Sequence, residues 1–166
     1  MSASCFAARP VGLLDRVPER LLLTGIRGWM AGYASGDLRH WEDVWNLHAT
    51  SLGVPAARQV VERLAAFVSM IRDCAQCPMR CFPGACPRLC RDECLALAMV
   101  SASQNADLDC LAYAMARFID PEGQEAAMPP LVAYAEAMVE QQLRLMPVPR
   151  HVIQDIAERP PRACLH

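Results

Sequence analysis

The densest chemistry in the chain lies between residues 74 and 94, where six of nine cysteines fall within 21 residues. They are Cys74, Cys77, Cys81, Cys86, Cys90 and Cys94, separated by two, three, four, three and three residues. Thiolate sulfur is a soft donor suited to zinc, iron–sulfur clusters and Cu(I). Cys74 and Cys77 form a C-x-x-C pair, a spacing that lets a tight turn aim both sulfurs at one ion while backbone amides offset their charge. Cys86, Cys90 and Cys94 recur every fourth residue, and each such step on a helix turns only about 40°, so they predict one stripe along a helix. Pro87 would open that helix with Cys86 as its N-cap, where the helix dipole lowers a thiol pKa. Cys81 falls in the proline-rich stretch, free to swing toward either group.

The simplest use of these residues is a tetrahedral four-thiolate site built from Cys74, Cys77 and two of Cys81, Cys86 and Cys90. The spacing matches neither the ferredoxin runs nor the paired C-x-x-C of zinc ribbons. It therefore leaves the metal open: zinc first, an iron–sulfur cluster second, then disulfides, then Cu(I). Met70, Met79 and Met99 offer thioethers, but their plainer use is core filler. Cys110 reads as a small buried residue, as does Cys94, with Cys90 divided between the two uses. Cys5 and Cys164, near the termini, read as incidental. A thioredoxin-like role for Cys74 and Cys77 expects a strand before the motif, and none is evident.

Other residues carry less. His40 reads as a surface residue and His48 as a packed one with both ring nitrogens satisfied. Glu42-Asp43 and Asp92-Glu93 are adjacent acids that point about 100° apart on a helix, and Asp107 reads as a cap. Trp29, Trp41 and Trp45 fall on apolar stripes and predict a core seam rather than a ligand pocket. No serine nucleophile elbow, phosphate loop or H-E-x-x-H pattern occurs.

The elements that must position these residues are helical. Pro18-Glu19 opens a first helix carrying Leu21, Leu22, Ile26, Trp29, Met30 and Tyr33 up to Gly36. Asp37 would cap a second, with Leu38, Trp41, Val44, Trp45, His48 and Leu52 on one face and Gly53 as its stop. A third starts at Pro55 with Val60, Val61, Leu64, Phe67, Val68 and Ile71. Pro78, Pro83, Gly84 and Pro87 then break the pattern. Helix resumes from about Arg88, pauses at Ser103-Gln104-Asn105, and returns with Leu108, Leu111, Met115 and Phe118. Pro129-Pro130 opens the next, which runs to Met146, and a short turn around Val152 to Ile156 ends the fold. The expected fold class is all-α: an irregular bundle of six or seven helices, with a Cys/Pro-rich loop between the third and fourth. The chain divides into an extension (1–16), the cysteine-rich metal-binding segment (73–95) and a loose tail (158–166) within a single helical domain (1–166).

Composition agrees. Apolar residues make up 54% and charged residues 20% of the 166, enough for a core of its own. Eighteen acids oppose sixteen bases, all arginine, for a net charge of −2. With no basic cluster, nucleic acid is not an expected partner. The first residues lack a signal-peptide pattern and no apolar run reaches about 18 residues. The expectation is a cytoplasmic, non-enzymatic helical protein whose four-thiolate site is structural and supports contact with another protein. An iron–sulfur protein in electron transfer, sensing or metal delivery is the alternative, and a disulfide-stapled helical protein comes after it.

Overall fold

The computed structural model describes residues 12–159. Within them lie seven α-helices: α1 (Val17–Ser35), α2 (Arg39–Leu52), α3 (Val54–Cys74), α4 (Arg91–Gln104), α5 (Leu108–Phe118), α6 (Gln124–Glu140) and α7 (Arg150–Glu158). Short 3-10 turns at Leu13–Asp15 and Pro121–Gly123 precede α1 and α6. The all-α bundle is as the periodicity predicted. Among the described residues there is no strand, only an isolated antiparallel bridge between Ala75 and Ile119. No described helix is long and apolar enough to cross a membrane.

Local signals account for most boundaries. Pro18 sits in the first turn of α1 and Gly36 ends it at φ +70°, a left-handed conformation that costs glycine little. Gly53, at φ +79°, both ends α2 and starts α3. The N-cap of α2 is Leu38 rather than Asp37, although the Asp37 carboxylate still takes the Arg39 amide at 3.0 Å. Asp107 caps α5 as predicted, accepting from the Cys110 amide at 3.0 Å.

Other boundaries differ from expectation, among them the end of α6, which stops at Glu140 rather than running to Met146. Pro129 and Pro130 lie inside α6, which begins at Gln124. Proline there forfeits bonds to only two carbonyls near the start, while Ala127 and Leu131 stay buried on one continuous face. The final turn is a nine-residue helix, α7, because Ile153 and Ile156 both reach the core. Leu38 and Leu108, assigned to apolar stripes, are exposed.

The helices form two packed groups. In one, α1, α2 and α3 pack together; in the other, α4 lies against α5, α6 and α7, and α6 bridges back to α3. Close approach in the first group depends on glycine: a Cβ at Gly28 would meet Val44 Cγ2 at 2.3 Å, and one at Gly25 would meet Leu64 Cδ2 at 2.5 Å. Gly32 likewise admits the Trp41 ring. Trp29, Tyr33 and Trp41 make a half-buried aromatic seam with ring centroids 5.4–5.9 Å apart. In the second group α4 is central, with Leu95 through Ala102 buried without a break.

Candidate metal centre

The cysteine-rich segment connects α3 to α4 and is held at both ends by backbone. Past the last turn of α3, Asp120 donates its amide to the Cys74 carbonyl (2.8 Å) and Gln76 donates to the Phe118 carbonyl (3.0 Å). This stitches the ends of α3 and α5 together. Cys74 is the last residue of α3. Its sulfur faces Gly123, where an added Cβ would lie 3.3 Å away. It lines an open cleft of about 570 Å³ with Asp73, Asp120 and Glu122. Cys77 is exposed, and Met79 turns inward to join the core with Met70 and Met99.

What organises the rest is an ion pair that sequence reasoning missed. Arg27, on α1, and Glu93, in the first turn of α4, are 3% and 0% exposed. The guanidinium donates to Glu93 through Nε (2.7 Å) and Nη2 (3.2 Å). Its remaining donors reach main-chain carbonyls of the loop: Cys86 and Arg88 at 2.7 Å each, with longer contacts to Gly84 (3.3 Å) and Pro83 (3.5 Å). Burial alone would favour the neutral form of Arg27. Its hydrogen bonds to Glu93 and that carboxylate's charge outweigh burial and hold its pKa above the ordinary value. Such bidentate, charge-assisted pairing is among the stronger polar interactions in proteins.

Glu93 also binds the loop from below. Its carboxylate accepts from the amides of Phe82 (3.1 Å) and Cys90 (2.8 Å), while Asp92 accepts from the Arg80 amide (2.9 Å). Residues 80–82 therefore lie across the first turn of α4. Cys90 is the N-cap of that helix in a capping box: the Glu93 amide donates to its sulfur as the Glu93 carboxylate takes its amide. The Cys90 thiol in turn donates to the Arg80 carbonyl at 3.0 Å.

This corrects the expected placement of the three-cysteine stripe. Cys86 is not an N-cap, and Pro87 does not open a helix, because residues 83–88 wrap the Arg27 guanidinium and α4 starts only at Arg91. Cys81, Cys90 and Cys94 are not activated either. Burial, then the Glu93 charge, pushes Cys81 well above the usual thiol range. Burial pushes Cys90 up to about 12, against the lowering effect of its backbone hydrogen bonds, and Cys94 up to about 11. At neutral pH all three are protonated and poor nucleophiles.

The six predicted ligands are thus divided in space. Cys81 lies within the electrostatic reach of Cys90, and Cys81 and Cys86 both lie within that of Arg27. Cys74 faces Gly123, Cys77 is exposed, and Cys94 lies a turn further along α4 within reach of Arg159. Among the described residues no three His, Cys, Asp or Glu side chains converge to hold an ion. All seven described cysteines, Cys110 included, are free thiols. Cys5 and Cys164 lie outside the described residues, as do positions 1–11 of the expected extension and 160–166 of the expected tail.

No family model, characterised protein or solved structure matches this chain.

His48 departs from expectation in one respect. It is fully buried with Nδ1 2.8 Å from the Val44 carbonyl, so the Nδ1–H tautomer donates, yet Nε2 has no partner among the described residues. His40 is half-buried.

Proposed function

We propose that this is a non-enzymatic, soft-metal-binding helical protein that carries its ion as exchangeable cargo, taken from or given to another protein. The observation that carries this reading is the Arg27–Glu93 pair. It fastens a segment rich in free thiols to the bundle through main-chain hydrogen bonds, while Cys74, Cys81 and Cys94 pack against the core and Cys90 caps α4. At a structural zinc site the binding energy is folding energy, and the surrounding chain loses order when the ion leaves. Here the loop's order derives from a guanidinium and a carboxylate, so an ion can come and go over a persisting scaffold. Zinc in a four-thiolate site, or an iron–sulfur cluster, requires further thiols to be drawn together from Cys74, Cys77, Cys81, Cys86, Cys90 and Cys94. The exposed Cys77 side of the loop is where such movement meets least resistance.

Two measurements test the proposal. Elemental analysis with a visible spectrum on anaerobically purified protein establishes whether a metal is bound and which. Hydrogen exchange on the metal-free, reduced protein then follows the Phe82 and Cys90 amides, both of which donate to Glu93. Protection of these amides without metal is the expected result. Rapid exchange at both, with helical circular dichroism retained elsewhere, would return the site to a structural role, and absence of any bound metal would end the metal reading.

A further inference from the structure

The six thiols are not equivalent, and two of them stand apart. The Phe82 and Cys90 amides converge on one carboxylate, that of Glu93, at 3.1 and 2.8 Å. The Cys90 sulfur lies 3.0 Å from the Arg80 carbonyl, the oxygen of the peptide unit leading into Cys81. With Arg80 also held by Asp92, the backbone at Cys81 is fixed against the N-terminus of α4, beside the Cys90 sulfur. Both residues are half-buried, and Cys81 lies within the electrostatic reach of Cys90.

Resting on the metal-binding reading above, we propose that Cys81 and Cys90 are the primary ligands of a low-coordinate site for a soft monovalent ion of the Cu(I) class. Zinc in protein sites is almost always held by four ligands. A d¹⁰ monovalent ion is satisfied by two thiolates and favours sulfur over oxygen or nitrogen. The neighbouring donors suit that choice, since the acids closest to the pair are already engaged: Glu93 by Arg27, Phe82 and Cys90, and Asp92 by Arg80 and Arg91. Binding replaces two S–H bonds by two S–metal bonds. Two neutral thiols and one monovalent cation become a bis-thiolate complex of charge −1, and two protons pass to solvent. The N-terminus of α4 favours the added negative charge, while Arg27 is set against the nearby carboxylates of Glu93 and Asp92, so it is the cation's own charge that displaces the two protons. Arg27 and Glu93 act here as positioning residues, fixing the two backbones whose side chains bind.

The experiment uses the full chain, reduced and metal-free under anaerobic conditions. Cu(I) is titrated in against a chromogenic Cu(I) chelator, with Zn(II) titrated in parallel. One Cu(I) per chain is expected, with two sulfur scatterers in the copper X-ray absorption spectrum. Cys81→Ser and Cys90→Ser should each weaken Cu(I) binding by more than the roughly 10–100-fold typical of losing an outer contact, and Cys77→Ser by less than about threefold. Serine at position 90 preserves an N-cap, and the absorption spectrum of the unaltered protein needs no variant. Three or four sulfurs around copper, or Zn(II) binding that depends on Cys74 and Cys77 with Cu(I) indifferent to Cys81 and Cys90, overturns the assignment while leaving metal binding intact. Binding of neither ion overturns both.

Discussion

Replacing Arg27 by methionine is the sharpest perturbation the fold offers. Methionine keeps much of the apolar stem but removes every donor. Glu93 is then left ionised and fully buried with only the Phe82 and Cys90 amides for company, and the carbonyls of Cys86 and Arg88 lose their 2.7 Å partner. Removing one member of a buried ion pair costs about 3–5 kcal/mol, largely because the survivor is stranded. For a chain of this size that is a drop of roughly 6–20 °C in melting temperature. If the stranded charge is the cause, Arg27→Met combined with Glu93→Gln should lose less than the two single variants together, with a coupling of at least about 1–2 kcal/mol. Urea unfolding followed by far-UV circular dichroism measures all four proteins. The loop provides a second readout: Cys81 and Cys90 in metal-free Arg27→Met should react faster with a thiol reagent than in the parent. A single variant within about 1 kcal/mol of the parent, or free energies that simply add, would refute the claim that this pair holds the loop.

Three further outcomes follow from the packing. Burial holds the His48 imidazole below its ordinary pKa. Between the folded value and the unfolded value near 6.5 only the unfolded chain takes up the proton, so stability rises with pH across that window by at most about 1.4 kcal/mol per unit and levels off above it. His48→Gln should flatten that segment of a stability–pH curve, and an unchanged slope would assign it to other groups. Gly28→Ala should destabilise by about 1–3 kcal/mol in urea unfolding despite alanine's better helix propensity, because the methyl meets buried Val44 and lies 3.1 Å from the His40 carbonyl; a stabilised variant would show that α1 and α2 can separate at little cost. Tyr134→Phe should be neutral or stabilising by about 1 kcal/mol, since the hydroxyl is buried without a partner among the described residues while the ring stacks on Phe67 at 5.3 Å. A loss of that size instead would reveal a hydrogen bond to the hydroxyl.

The scaffold was legible because its signals are local. Gly36, Gly53, Pro18 and Asp107 act within one turn of where they stand, and the apolar stripes of α1 and α3 recur at helical spacing. Pro129-Pro130 misled because proline is costly in a helix on average, whereas here the buried Ala127 and Leu131 carry α6 through both. The site was harder, since its organiser joins residues 66 positions apart. Arg27 is the one charged residue in the run Leu21 to Met30, an anomaly that could have pointed to a buried charge. Cys90-Arg91-Asp92-Glu93 has the spacing of a capping box, but a cysteine in the cap position reads as a ligand before it reads as a cap. The Cys86 assignment failed for the same reason: four-residue spacing describes a helix, and the non-local pull of a guanidinium on residues 83–88 delays that helix to Arg91.

Arg27 grips the loop by main-chain oxygens at Pro83, Gly84, Cys86 and Arg88, and by none of their side chains. That makes the grip blind to residue identity. The stretch behaves as a cassette whose side chains can be rewritten while its path is conserved, so thiols could be added, moved or removed along it without renegotiating the seven-helix chassis beneath.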